Sequence, residues 1–187
     1  MSALRRFHLD YLAWTLETHG YRSVRHTHAL CDTIMLLAVA ALISRLPAPF
    51  GFPLAAALVA LGFLAYVAFD PWAALLVSGS VAAGLGLAHA LDAVLAPPVA
   101  LGLWASLFVL SVSGALLSHV LCGEEILLYP RSIVGARRVL AFAVYGGFLP
   151  FFGAYYQTTL FLVDLGHRAA LAAEARRRLG TGLAPLV

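Results

Sequence analysis

"TIMLLAVAALISRLPAPFGFPLAAALVALGFLAYVAFDPWAALL" (residues 33–76) runs for 44 residues with two charged side chains, Arg45 and Asp70. A stretch this apolar has no polar face to turn toward water. It is broken at "RLPAPFGFP" (45–53) and again at Asp70-Pro71. Proline suits such breaks because it lacks the donor a helix interior needs. The pieces on either side approach the ~20 residues that cross a bilayer as a helix. Working outward, four apolar segments emerge at about 29–46, 51–69, 72–95 and 99–121, the third closed by "APP" (96–98). The expected fold class is all-α: a polytopic membrane helix bundle of four to six membrane segments.

Composition agrees. The 187 residues are 62% hydrophobic and 11% charged, and mean hydropathy is +0.91. A water-soluble domain of this length needs more charge to cover its surface. One integral membrane domain, 1–187, is the natural unit. The net charge of +3 comes from arginine alone, which reports topology and lipid headgroups rather than nucleic acid. The opening twenty residues carry Arg5 and Arg6 but no apolar core or small-residue cleavage site, so no signal peptide is expected. Cys31 and Cys122 form no motif, and packing is their expected role.

Residues 3–19 interleave Leu4, Phe7, Tyr11, Trp14 and Leu16 with Arg5, Arg6, Asp10 and Glu17. That pattern predicts an interfacial amphipathic helix with aromatic anchors, within an entry region 1–28. After the four segments comes a polar loop, 122–138, then a fifth apolar run, 139–166, interrupted at "GGFLP" (146–150), and a basic tail, 167–187. With four crossings, the N-terminal arginines and the 122–138 loop share one side, expected to be cytoplasmic. If 139–166 crosses once, the tail arginines lie outside. If it folds back at Gly146–Pro150, the tail stays inside and only Arg45 lies outside, which obeys the arginine rule better.

The histidines cluster at segment ends. If the first segment runs outward, the fourth returns inward, so His28 and His119 meet at one face, joined by His19, His26, Glu124 and Glu125. A folded-back 139–166 brings Asp164 and His167 there too. His28 and Asp32 are four apart and face the same way on a helix. His26 and His28, two apart, cannot both point inward on a regular helix, so at most one is a ligand unless the helix begins between them. His89 sits about 25 Å along the third segment, toward the opposite face, where Asp92 is positioned to pair with it. Neutral imidazoles with a carboxylate suit non-haem iron(II), with positions left open for dioxygen and substrate; zinc accepts the same donors. The histidine spacing alone also allows an ordinary interfacial role.

"YLAWTLETHGYRSVRHTHALCDTIML" (11–36) and "LLSHVLCGEEILLYP" (116–130) carry a family resemblance. The chain resembles the small multi-pass membrane family that includes the fungal iron(II)-dependent 2-hydroxy-fatty-acid dioxygenase. That family has an aromatic-rich helix, a histidine, and a second histidine nine residues on, matched by His19 and His28. It then has a histidine ending an apolar helix, a glutamate and a proline, matched by His119, Glu124 or Glu125, and Pro130. "LAYVAFDPWAALL" and "GGFLPFFGAYYQ" follow its layout, and Gln157 stands where the family has a late carboxylate. The resemblance covers residues 7 to 165. It implies metal ligation by His19, His28, His119 and Glu124, with Glu125 the alternative carboxylate; by their placement at the same face, His26, Asp32, Asp164 and His167 are further metal or supporting candidates. It implies Fe2+ rather than Zn2+, dioxygen as co-substrate, and oxidative removal of one carbon from a lipid-like 2-hydroxy acyl substrate. Arg22, Arg25, Arg131 and Arg138 are placed to meet the substrate head group, or the heads of membrane lipids. The competing readings are a b-type haem or redox carrier and a non-catalytic membrane scaffold or lipid-binding protein.

Overall fold

The computed structural model describes residues 3–47, 50–124 and 147–180. Within them the chain is all-α, with helices α1 (Ala3–Thr18), α2 (Arg22–Ile43), α3 (Gly51–Val67), α4 (Pro71–Asp92), α5 (Pro97–Cys122), α6 (Gly147–Asp164) and α7 (Ala169–Gly180). The expected helical membrane bundle is the architecture found. Helices α2, α4 and α5 are long and apolar enough to cross a membrane, and α3 is a shorter apolar helix of 17 residues. Their outward faces carry Leu61, Leu64, Leu75, Leu87, Leu110 and Leu121, all largely exposed. Each such leucine left in water forfeits about 2 kcal/mol, so this belt calls for lipid.

α2 is the central element, packed on both α5 and α6 as well as on α3 and α4. Its start differs from the expected position 29. The helix begins at Arg22, because the polar residues of its first two turns have partners on α5 and α6. Asp70 shows how the punctuation works. It caps α4, accepting from the backbone N–H of Trp72 at 3.2 Å and Ala73 at 3.4 Å, with Pro71 at the first helical position. The same carboxylate, fully buried, accepts from Thr159 at 3.0 Å and Arg168 at 3.1 Å. Since the Thr159 hydroxyl donates to Asp70, the Tyr66 hydroxyl at 2.9 Å donates to Thr159.

α1 is helical as expected, but its aromatic residues do not anchor in lipid. Leu9, Tyr11, Leu12 and Trp14 are all buried in the protein core. Tyr11 stacks on Tyr156 of α6 with ring centroids 4.3 Å apart, and α7 covers the other face of α1: Arg5 pairs with Glu174 at 2.8 Å and Arg178 with Asp10 at 3.5 Å, over buried Ala172 and Ala175. At the far end of the bundle, Asp92 pairs with Arg45 rather than with His89. The Arg45 guanidinium also lies over the Trp104 ring, and His89 packs against Phe52.

Glu124 and Asp164 both meet the N-terminal turns of α2: Glu124 accepts from Tyr21 N–H at 2.7 Å, and Asp164 binds Arg25. Residues 125–146, which include the first part of the 139–166 run and the start of its expected fold at Gly146–Pro150, lie outside the described residues.

Beneath α1, His8 donates from Nε2 to the Ala65 carbonyl at 3.0 Å, so its Nδ1 accepts from the Tyr156 hydroxyl at 2.6 Å. Burial lowers the His8 pKa below its ordinary 6.5, keeping the ring neutral. The unfolded chain takes up a proton at His8 near 6.5 and the folded chain only at lower pH. Stability from this group is complete above about pH 6.5 and is lost as pH falls below it. Tyr156→Phe, which orphans Nδ1, is expected to cost about 1–2 kcal/mol at pH 8. It should also lessen the loss of stability between pH 8 and pH 5, both read from thermal unfolding in detergent.

Candidate metal centre

Three chain segments build the site. The α1–α2 turn brings His19, the second turn of α2 brings His28, and the last turn of α5 brings His119. Each offers a ring nitrogen, and these atoms lie within 4.8 Å of one another. The ring centroids are 4.5 Å apart for His19–His28 and 4.9 Å for both His19–His119 and His28–His119.

Local structure fixes each ring. His19 Nδ1 donates to the Thr15 carbonyl at 3.0 Å, with the Thr18 hydroxyl 2.7 Å away. That bond sets the tautomer and leaves Nε2 bare and pointing inward. Burial, then the neighbouring His28 and His119, push the His19 pKa down to about 2, so the imidazole is neutral and able to ligate. His28 Nδ1 lies 3.5 Å from Asp32 Oδ1, which makes Asp32 its orienting partner. Asp32 in turn lies against Gly153 of α6, where an added Cβ would stand 3.0 Å from Oδ2. His119 Nδ1 lies 3.4 Å from Glu124 Oε2.

Glu124 is delivered by the end of α5. Gly123 adopts φ 67, the left-handed conformation that closes the helix, and Glu124 N–H returns to the His119 carbonyl at 2.9 Å. The chain is thereby turned so that the Glu124 carboxylate folds back toward His119, one oxygen held by Tyr21 N–H. Gly123→Ala places a Cβ in this conformation and is expected to cost about 1–2 kcal/mol. If Glu124 contributes to metal binding, affinity should fall with it; a metal titration of this variant beside Gly123→Asn, which tolerates the conformation better, separates strain from general unfolding.

Among the described residues, His19 Nε2, His28 Nε2, His119 Nδ1 and Glu124 Oε2 are buried with no hydrogen-bond partner, the last two lying 3.4 Å apart. One such atom costs about 1–3 kcal/mol, so unpartnered polar atoms around three converging imidazoles are an expensive arrangement without a ligand. Three imidazoles and a carboxylate are the donor set that divalent transition metals accept. The residues fit a metal ion.

The other candidates are placed differently. His26, on the opposite face of α2, lies 3.3 Å from Asp164 and packs against Phe161. Asp164 lies outside the triad: Arg25 grips both its oxygens, Nε to Oδ2 at 2.9 Å and Nη2 to Oδ1 at 2.8 Å. Arg25 is therefore not a free head-group cation. Its Nη1 donates to the carbonyls of His19 at 2.9 Å and Gly20 at 2.7 Å, so it positions the turn that presents His19. Arg22 remains exposed, 3.7 Å from Asp164. His167 lines a separate cavity beside Arg168. Gln157 is buried one turn from Gly153, its Oε1 without a hydrogen-bond partner among the described residues. Glu125, Arg131 and Arg138 lie outside the described residues. The sequence signals that find Arg25 and Gly123 are a cation at the start of an apolar helix and a glycine just after the last apolar turn. Comparison with protein-family models, curated proteins and solved structures finds no match.

Proposed function

We propose that this chain is a membrane-embedded non-haem iron oxygenase acting on a lipid-like substrate, removing one carbon from a 2-hydroxy fatty acid. The convergence of three imidazoles within 4.8 Å at one end of an apolar helix bundle, with the Glu124 carboxylate beside His119, carries the reading. The likeness of "THGYRSVRHTH" and "SHVLCGEE" to the iron(II) dioxygenase family supplies the reaction class. Bound there, iron(II) would supply dioxygen activation beside the acyl chain. The overall change balances without a further reductant: a 2-hydroxy acid and dioxygen give the acid one carbon shorter, carbon dioxide and water.

The chain's own groups do the rest. Thr15 and Asp32 hold the His19 and His28 rings in register, and Tyr21 N–H holds Glu124. A site at the end of the bundle lets a carboxylate head stay at the polar boundary while its acyl tail remains among apolar helices. Exposed Arg22 is the cation at that end suited to pair with the head. The arginine-rich N-terminal region and tail share this end, whereas Arg45 lies at the other; the positive-inside rule assigns the site to the cytoplasmic side.

Protein loaded with iron(II) under anaerobic conditions, then given air and a 2-hydroxy fatty acid, should consume dioxygen and release the acid one carbon shorter. His28→Ala should do neither. Equal turnover by the zinc-loaded protein, or an intense haem band in the purified protein, would overturn the reading.

A further inference from the structure

The end of the bundle that carries the triad has a second opening, flanked by α4 and α6. A cavity of about 380 Å³ is lined there by Trp72, Leu76, Leu162, His167 and Arg168. Arg168 is held in place at a cost. Its backbone sits at φ 60, a conformation that strains a residue with a side chain by about 1–3 kcal/mol. Its Nε is tied to Asp70, which is itself fixed by Thr159 and by the start of α4. Arg168 Nη2 has no hydrogen-bond partner among the described residues. Asp70 is wholly buried on the inner side of this pair, so the guanidinium presents its charge to the cavity. Trp72 is 60% exposed, at the level where aromatic residues meet lipid headgroups.

A groove of about 270 Å³ adjoins it. Ala29 and Thr33 of α2, Val77 and Ser80 of α4, and Phe161 of α6 line the groove, and Leu76 belongs to both cavities. From Leu76 the groove descends along α2 and α4, away from the charged end. Its upper edge is His26, and the nearby Asp164 is already gripped by Arg25. The pair of cavities thus has a cation at the membrane boundary and an apolar track below it.

We propose that these two cavities hold one anionic phospholipid, with its phosphate on Arg168 and His167 and one acyl chain along Leu76 between α2 and α4. The charge selects an anionic head, and the connected apolar track selects an acyl chain over a soluble anion. The site shares no residue with the histidine triad and stands whether or not the triad binds metal.

Trp72 reports on it directly, since Trp14 and Trp104 are each only 2% exposed. The native protein is reconstituted in phosphatidylcholine bilayers containing phosphatidylglycerol brominated on its acyl chains. Quenching of Trp72 should saturate, at a mole fraction about fivefold lower than for brominated phosphatidylcholine, the ratio that one added cation–headgroup contact supports. Trp72→Phe should remove the saturable quenching. Arg168→Gln should bring the two lipids to parity. Because that variant also leaves Asp70 short of a partner, Leu76→Phe provides a second arm: it fills the track, keeps the charge, and should abolish saturation. Equal quenching by the two lipids in the native protein, or a preference that survives both substitutions, would overturn the site. Displacement by millimolar inorganic phosphate would equally overturn it, because the acyl chain would then be dispensable.

Discussion

His28→Ala and His119→Ala are each expected to hold less than about a tenth of the metal bound by the native protein after equal loading and dialysis. Loss of an orienting partner alone typically costs 10- to 100-fold in metal affinity, and these substitutions remove a ligand outright. His26→Ala is the control. It lies two residues from His28 on the same helix but faces Asp164 and Phe161, so its metal content should match the native chain. Stability should divide the same way. Metal that binds only the folded chain stabilises it by mass action, about 2.7 kcal/mol at a hundredfold excess over Kd. Metal should therefore raise the unfolding temperature of the native protein and His26→Ala, and leave the two ligand variants unmoved. Equal metal content in all four proteins would show that the convergence of rings is packing alone.

Arg25→Met is expected to cost about 3–5 kcal/mol of stability, the usual result of leaving one member of a buried ion pair without the other. The pair is enclosed and bidentate, unlike the exposed Arg22, whose pairing with Asp164 is worth about 1 kcal/mol or less. Asp164 would keep only His26 and Arg22 nearby, and the carbonyls of His19 and Gly20 would lose their donor. The double variant Arg25→Met, Asp164→Leu removes both charges and should recover most of the stability. It should not recover metal affinity, because the turn carrying His19 stays unpinned. A loss below about 0.5 kcal/mol in Arg25→Met would mean that the pair behaves as a solvated surface contact.

These two variants also mark where sequence reading stops. The apolar spans and their breaks were legible, because bilayer length and proline placement are local properties. Asp70-Pro71 reads as the start of a helix from its own two residues, and it is one. Its further role, binding Thr159 and Arg168, rests on contacts 89 and 98 residues away. The start of α2 was misplaced for the same reason. Residues up to 28 read as an entry region before the first apolar segment, and only Asp164, 139 residues on from Arg25, shows why the helix starts earlier. Aromatic residues in α1 read as lipid anchors because what buries them is distant in sequence: Tyr11 stacks on Tyr156 of α6 at 4.3 Å, and α7, the last described helix, covers the other face of α1. The histidines were legible as a same-face group once the number of crossings was fixed. Spacing alone left His26 or His28 open; the family resemblance named His19, His28 and His119, the three whose ring nitrogens lie within 4.8 Å, while the α5 cap decides where Glu124 turns.

The most direct measurement is iron K-edge X-ray absorption on the purified full chain loaded with iron(II). Three converging imidazoles predict first-shell nitrogen and oxygen scattering at about 2.0–2.2 Å, the range for such donors on a divalent metal, with the outer-shell pattern of imidazole rings. That pattern should weaken in His28→Ala and in His119→Ala. A spectrum without imidazole outer-shell scattering, or one unchanged in both variants, would contradict the centre described here.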